Sequence, residues 1–263
     1  MKLYLYYIKI KILESLTYKY EFFMTIAKQF FFILLTALFW KALYQNSSDI
    51  GGVTVEDMLV YSVLSVFLQN FFSRTIENQI RQRMRSGNIA IDYIKPVNLF
   101  AMYFANDVGN IVVNLVQRFI PVLLFSMVFI IVPVPVSVTA FLLFLISSVM
   151  SFFILWIFSA IFGLLYFWFT DTGNIGGIKD YIINILSGAL VPVWFFPESL
   201  QQVLVYMPFI YTYQLPISIF IGKTGTKEAF TAMGIQVIWC VIFFIIFHLL
   251  SRKALKKVLV QGG

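Results

Sequence analysis

Few residues in this chain have the types and spacing for covalent or metal chemistry. Gly222-Lys223-Thr224 has the order of a phosphate-cradling loop, but such a loop needs a glycine five residues ahead of its Gly-Lys, after a strand. Ile217 stands at that position, behind a proline-broken apolar run, so no nucleotide site is expected. His248 is the only histidine and has no second ligand near it in sequence, so it reads as an interfacial residue beside Arg252. Cys240, the single cysteine, excludes an intramolecular disulfide and a cysteine-based zinc cluster; inside an apolar run it serves as small apolar filler. No two carboxylates share helical spacing within an apolar run. Asp92, Asp107, Asp171 and Asp180 map to one face of the chain and Glu198 to the other, with no acid clearly expected at mid-depth. Neither a catalytic residue nor a metal ligand set is expected.

Two polar patterns remain. Asn106, Asn110, Asn114 and Gln117 are spaced by four, four and three, which puts them on one helical face. That face should turn to protein or water rather than lipid, as a pathway lining or a seam between subunits. The second is "RQRMRSGNIAIDYIKPVN", which gathers Arg81, Arg83, Arg85 and Lys95 around Gly87-Asn88 and closes on Pro96. Gly87 can take a positive φ and turn the chain. Asn88 can cap the short helix that follows, with Ile89 and Tyr93 on one side, and Lys95-Pro96 stops it.

The elements that must hold these groups are set by composition. The 263 residues are 60% hydrophobic and 12% charged, with mean hydropathy +0.89. A soluble domain is roughly 45–50% apolar and 25% charged, so this chain lacks the residues for a polar skin. The formal charge of +7 sits between apolar runs, a pattern of cytoplasmic loops and not of a nucleic-acid-binding face. An all-α integral membrane fold follows, a single transmembrane domain over 1–263. Residues 1–20 mix tyrosine with lysine and suit an interfacial helix; Lys9 and Lys11 interrupt any secretory signal, although "YLYYIKIKI" also alternates like a strand. About 20 apolar residues cross the hydrocarbon. Spans are expected near 21–44, 58–78, 139–169 and 230–250. A third in chain order needs 119–132 plus part of the asparagine-bearing stretch before it. The fifth, 181–196, is short and contains Pro192. Pro197, Pro208 and Pro216 then divide a segment no straight helix would tolerate, while Trp194, Phe195, Phe196, Tyr206, Tyr211 and Tyr213 suit the headgroup level.

With six spans, Lys2, Lys9, Lys11 and Lys19, the Arg81–Lys95 elbow, and Arg252, Lys253, Lys256 and Lys257 fall on one side. The Asp49 loop and the "PVPV" turn fall on the other. The distribution of positive charge makes the cationic side, with both termini, cytoplasmic. Lys223 and Lys227 run against this.

The topology, "RSGNIAIDYIKPVN" and "SGALVPVWFFPESLQQVLVYMPFIYTYQLPISIFIG" together resemble the type-2 ABC exporter permease family over nearly the whole chain. The resemblance implies six transmembrane helices, a cytoplasmic coupling helix after the second (80–98) and re-entrant helices before the sixth (188–222). It implies docking on a separate ABC ATPase subunit through Arg83, Arg85, Gly87, Asn88, Ile89, Asp92, Tyr93, Lys95 and Pro96. Those arginines are equally read as charges kept inside, or as partners of anionic membrane lipid. It implies an outer re-entrant gate containing Gly188, Pro192, Phe195, Phe196, Pro197, Pro208 and Pro216. It also implies a second permease, as a homodimer or a related heterodimer partner, in the plasma membrane. No cofactor is expected on this chain, because ATP and Mg belong to the partner subunit. The function implied is outward movement of an amphipathic compound, whether drug, antibiotic, peptide or lipid-like. The alternatives are an ion-coupled secondary carrier, which would want buried acids, and a non-transporting membrane assembly factor.

Overall fold

A computed structural model describes residues 2–15, 19–46, 49–72, 75–93, 97–169 and 175–258. Nearly all of them are helical, with no strand among the described residues beyond an isolated bridge between Asp49 and Thr54. Polar residues start the long helices where the apolar runs begin. Thr54 and Asp57 form a reciprocal capping box at the head of α3 (Val55–Phe71). Asn98 accepts the Ala101 N–H (3.0 Å) at the head of α6 (Leu99–Val113), and Ser137 accepts that of Ala140 (3.0 Å) at the head of α8 (Val138–Leu165).

Among the described residues, five helical stretches are long and apolar enough to cross a membrane: Phe23–Leu43, Val55–Arg85, Leu99–Phe129, Val138–Leu165 and Thr226–Lys257. A bent pair, Glu198–Leu204 with Phe209–Phe220, turns through 80° and makes a sixth if counted as one crossing. The first belongs to α2 (Lys19–Leu43) and the last to α12 (Thr226–Val258). Both leave rows of large side chains uncovered, such as Phe31, Leu35 and Phe39 on α2 and Ile238, Ile245 and Leu249 on α12. Only lipid or another apolar chain can cover such rows. α8 is the central post and packs on α12, on α11 (Gln214–Phe220) and on α4 (Ile76–Arg85).

The structure revises the sequence-based boundaries of the second and fifth spans and bears out that of the third. In the second span α3 ends at Phe71, where Phe72 leaves helical geometry, and α4 (Ile76–Arg85) runs on to Arg85 instead of ending near Asn78. The third does recruit the asparagine-bearing stretch, because α6 runs through a π-helical turn (Asn114–Phe119) into α7 (Ile120–Phe129). There the Ile120 N–H reaches the Leu115 carbonyl, five residues back, just ahead of Pro121. The widened turn accommodates a proline that can neither donate nor tolerate normal crowding. The expected fifth span is only the twelve-residue α9 (Ile175–Leu186), since Gly188 at φ +80° turns the chain immediately afterwards. The N-terminal segment is helical and not strand-like: α1 (Lys2–Ser15) lies along α6.

The loops sort into two ends. At one, Lys223 Nζ donates to the Gly51 carbonyl (2.8 Å), and the Val136 N–H donates to the Phe220 carbonyl (3.2 Å). The acidic loop at 49–54, the "PVPV" turn and the Lys223 segment therefore share that end. At the other, Tyr7 of α1 shares a cavity with Gln79, Arg83 and Tyr103, and Lys257 lies 5.7 Å from the Trp168 ring centroid. Arg83 of the elbow and Lys257 of the last helix lie there.

Candidate functional site

The elbow is built on α4, which buries Ile76, Glu77 and Ile80 and turns its arginines outward. Gly87, at φ +71°, ends the helix; its N–H reaches the Met84 carbonyl (3.2 Å), and a Cβ there would meet nothing within 4 Å. The requirement for glycine is therefore conformational and not steric. α5 (Ile89–Tyr93) follows, with the Asn88 carbonyl accepting the Asp92 N–H (3.1 Å), so Asn88 does begin the short helix.

Three of the elbow residues, Arg83, Ile89 and Asp92, make contacts within this chain. Asp92 is 1% exposed and takes the Arg83 guanidinium in a fork, Nε to Oδ2 at 2.8 Å and Nη2 to Oδ1 at 3.2 Å. The Tyr103 hydroxyl, on α6, approaches the same carboxylate at 3.5 Å. Ile89 is buried in the core, with Met84 packed against that core. What remains outward is Arg85, Ser86, Gly87, Ala90 and Ile91, the last an isoleucine 56% exposed. Sequence reasoning passed over Ile91, yet its signal was present: in a five-residue helix whose 89 and 93 positions share one side, position 91 points the other way. The Tyr93 side chain, and Lys95 and Pro96 altogether, lie outside the described residues.

Behind the elbow is a polar lattice. The asparagine face turns to the break between α3 and α4. Asn106 Nδ2 donates to Gln79 Oε1 (3.2 Å), Asn110 to Thr75 Oγ1 (3.3 Å) and Asn114 to the Asn70 carbonyl (3.4 Å). Gln117 is half-buried within the π turn. The last carbonyls of α3, such as that of Asn70, need partners beyond the helix, which gives this face an internal task. Asp107 is fully buried at the lattice centre and accepts from Thr75 Oγ1 and from Trp156 Nε1 (2.9 Å). Glu77 is also buried and takes Lys179 Nζ of α9 at 2.5 Å, while Ser159 of α8 lies 3.0 Å from the same nitrogen. The sequence showed no acid clearly at mid-depth, and it gave no sign that three acids are enclosed by protein. Glu77 meets Lys179 of α9, Asp107 meets Thr75 and, on α8, Trp156, and Asp92 lies under Arg83 and, on α6, Tyr103, neighbours that linear sequence does not disclose.

α9 leads to the broken segment at the opposite end. The Tyr61 hydroxyl donates to the Gly188 carbonyl (2.7 Å), and Gln214 Oε1 accepts the Val193 N–H (2.9 Å). The Gln214 N–H returns to the Ser187 carbonyl (3.0 Å). Each proline stands at a helix start, where a missing N–H costs nothing. Pro192 precedes the turn Val193–Phe195, Pro197 precedes α10 (Glu198–Leu204), Pro208 precedes Phe209–Tyr211, and Pro216 lies in the first turn of α11. Phe195 stacks on Trp40 of α2 at 5.4 Å, and Phe196 gives its carbonyl to Gln201 Nε2 (2.7 Å). Gln236 of α12, invisible as a site in sequence, is fully buried and binds the Tyr211 carbonyl (2.7 Å) and Ser151 Oγ (3.0 Å), joining α12, α8 and this segment.

Gly188→Ala is expected to disrupt this knot. A Cβ would lie 2.5 Å from Gln214 Oε1 and 2.9 Å from the Tyr61 hydroxyl, on backbone at φ +80°. The left-handed conformation and the displaced buried bonds together cost about 2–4 kcal/mol. A clearly lowered thermal unfolding midpoint in detergent is the expected reading; an unchanged midpoint would show that the knot yields freely.

Residues 30–262 match the family model described as ABC-2 family transporter protein, which covers most of the chain and both polar stations. The chain belongs to the ABC-2 transporter family. Among curated proteins, none matches the sequence significantly. Permeases of the ABC-2 family are membrane components of transport, not themselves catalytic, and work with an ATP-binding subunit. This ABC-2 chain is accordingly a multi-pass membrane protein.

Proposed function

We propose that this ABC-2 chain is the permease subunit of an ATP-driven exporter that moves an amphipathic compound outward across the plasma membrane. The observation that carries the reading is the elbow: its outward tip is Arg85, Ser86, Gly87, Ala90 and Ile91, and its base is fastened to the transmembrane body by buried Ile89 and by Asp92, which takes Arg83 and lies against Tyr103 of α6. A partner that grips such a tip moves the body with it. The gripping partner is an ABC ATPase subunit, which holds ATP and Mg; this chain contributes no cofactor. The cationic end is cytoplasmic, with both termini there, and α1 lies in the membrane interface. The elbow acts as the coupling helix and residues 188–222 as an outer re-entrant gate. ATP binding favours one of two arrangements of the permease pair, whether a second copy or a related chain completes it, because the ligand binds the two states unequally.

The test is transport into inverted vesicles containing the chain with a co-expressed ATP-binding subunit. ATP-dependent accumulation of an amphipathic dye that stops when the ATPase is inactivated is the expected result. Accumulation driven by a proton or sodium gradient without any ATPase would establish the carrier reading, which the buried carboxylates of Glu77 and Asp107 favour. Both carboxylates already have protein partners in Lys179, Thr75 and Trp156.

A further inference from the structure

A cavity of about 350 Å³ opens at the Gly51–Lys223 end, between the broken segment and the first turns of α12. Its polar wall carries Trp194, Lys223, Thr224 and Glu228; Val205, Ile210 and Leu215 supply an apolar wall. The polar groups are incompletely used. Trp194 Nε1 is buried, donates to no acceptor among the described residues, and belongs to a ring whose centroid lies 4.9 Å from Lys223 Nζ. Lys223 spends one of its three donors on the Gly51 carbonyl at 2.8 Å. Glu228 accepts the Gly225 N–H with Oε2 (3.2 Å), and no bond within the protein is made by Oε1 among the described residues. A buried donor with no acceptor is unfavourable, so an oxygen brought beside Trp194 would be held there.

We propose that this cavity binds the headgroup of a phosphatidylethanolamine-type lipid. The phosphate is held by Lys223 and the Trp194 N–H, the ammonium by Glu228, and the first acyl methylenes lie on Val205, Ile210 and Leu215. A simple anion would satisfy the lysine and the indole but would meet the Glu228 carboxylate. A headgroup carrying both signs a few ångströms apart satisfies all three. Beside the cavity, Tyr206 is 82% exposed and Val203 51%, an uncovered apolar collar that suits the membrane interface. The assignment holds whether or not the chain exports anything, since it requires only that a bilayer surrounds the long helices.

Native mass spectrometry of the full chain, delipidated in detergent and given phosphatidylethanolamine, phosphatidylglycerol or phosphatidylcholine, tests it. Phosphatidylethanolamine should bind about tenfold more tightly than the other two, and Lys223→Met and Trp194→Phe should each lose about tenfold, the scale of one charge-assisted or buried hydrogen bond. Glu228→Gln should shift the preference to phosphatidylglycerol, a gain that a misfolded protein could not show. Inorganic phosphate at millimolar concentration should leave the lipid bound. Equal binding of the three lipids, undiminished binding by Lys223→Met, or displacement by phosphate alone would overturn the proposal.

Discussion

Lys179→Met is expected to destabilise the protein by about 3–5 kcal/mol, because it strands Glu77 as a charge inside the bundle. Lys179 and Glu77 are both 3% exposed, and each faces the other at 2.5 Å. The site has no room for rearrangement. A Cβ at Gly176 would run into the Glu77 carboxylate, and one at Gly163 would come within 2.8 Å of Ile80 Cδ1, so α8, α9 and α4 close tightly around the pair. Asp180 also approaches Lys179, its buried Oδ1 at 3.4 Å from Nζ although the side chain as a whole is 45% exposed, so the loss of the lysine is felt there as well. Glu77→Gln should cost a similar amount for the mirror reason. The double substitution Glu77→Gln with Lys179→Met should recover much of the loss, since neither charge is then left alone. Thermal unfolding of the four proteins in one detergent checks this. Additive losses in the double variant would show that the two residues act separately.

Ile91→Asp is expected to weaken association with the ATP-binding subunit by roughly 10- to 100-fold while leaving the unfolding midpoint unchanged. Its side chain is 56% exposed in the isolated chain, so the fold does not depend on it. Burying an isoleucine under a partner contributes about 1.5–3 kcal/mol, which is one to two decades of affinity. Gly87→Pro should produce the same loss by another route, since φ +71° is inaccessible to a ring fixed near −65°. Both variants should insert normally and leave ATP hydrolysis uncoupled from transport. Normal transport by both would remove the elbow from the mechanism. Asp92 is a poorer probe than its place in the elbow implied, because its buried pair with Arg83 makes any substitution there structural first.

The elbow was legible in sequence because each of its features is local. A glycine with positive φ, a short helix and a helix start can be read within ten residues, and Gly87, Asn88 and α5 stand where that reading put them. The direction of each side chain was not local. Arg83 looked like a free cation until α5 folded Asp92 beneath it. The asparagine face was correctly placed on one side of a helix, but its partners Thr75, Gln79 and Asn70 come from a helix break that apolar patterning does not mark. Gln236 passed unnoticed for a related reason: a single polar residue in an apolar run carries no period. Lys179, beside Asp180 in a Gly-rich polar stretch, reads as a loop cation until α9 turns it to Glu77.

By itself, the sequence determined that this is an all-helical membrane protein with Arg83 and Lys257 at one end, a turn at Gly87 and a proline-divided segment before the last helix. Apolar length, charge placement and backbone stereochemistry act residue by residue along the chain. Tertiary structure alone decided that Glu77 and Lys179 meet, that Asp92 faces inward and Ile91 outward, and that Trp194, Lys223 and Glu228 share one cavity. Those outcomes depend on which helix faces close on one another, and ion pairing, desolvation and steric fit act only once they have closed.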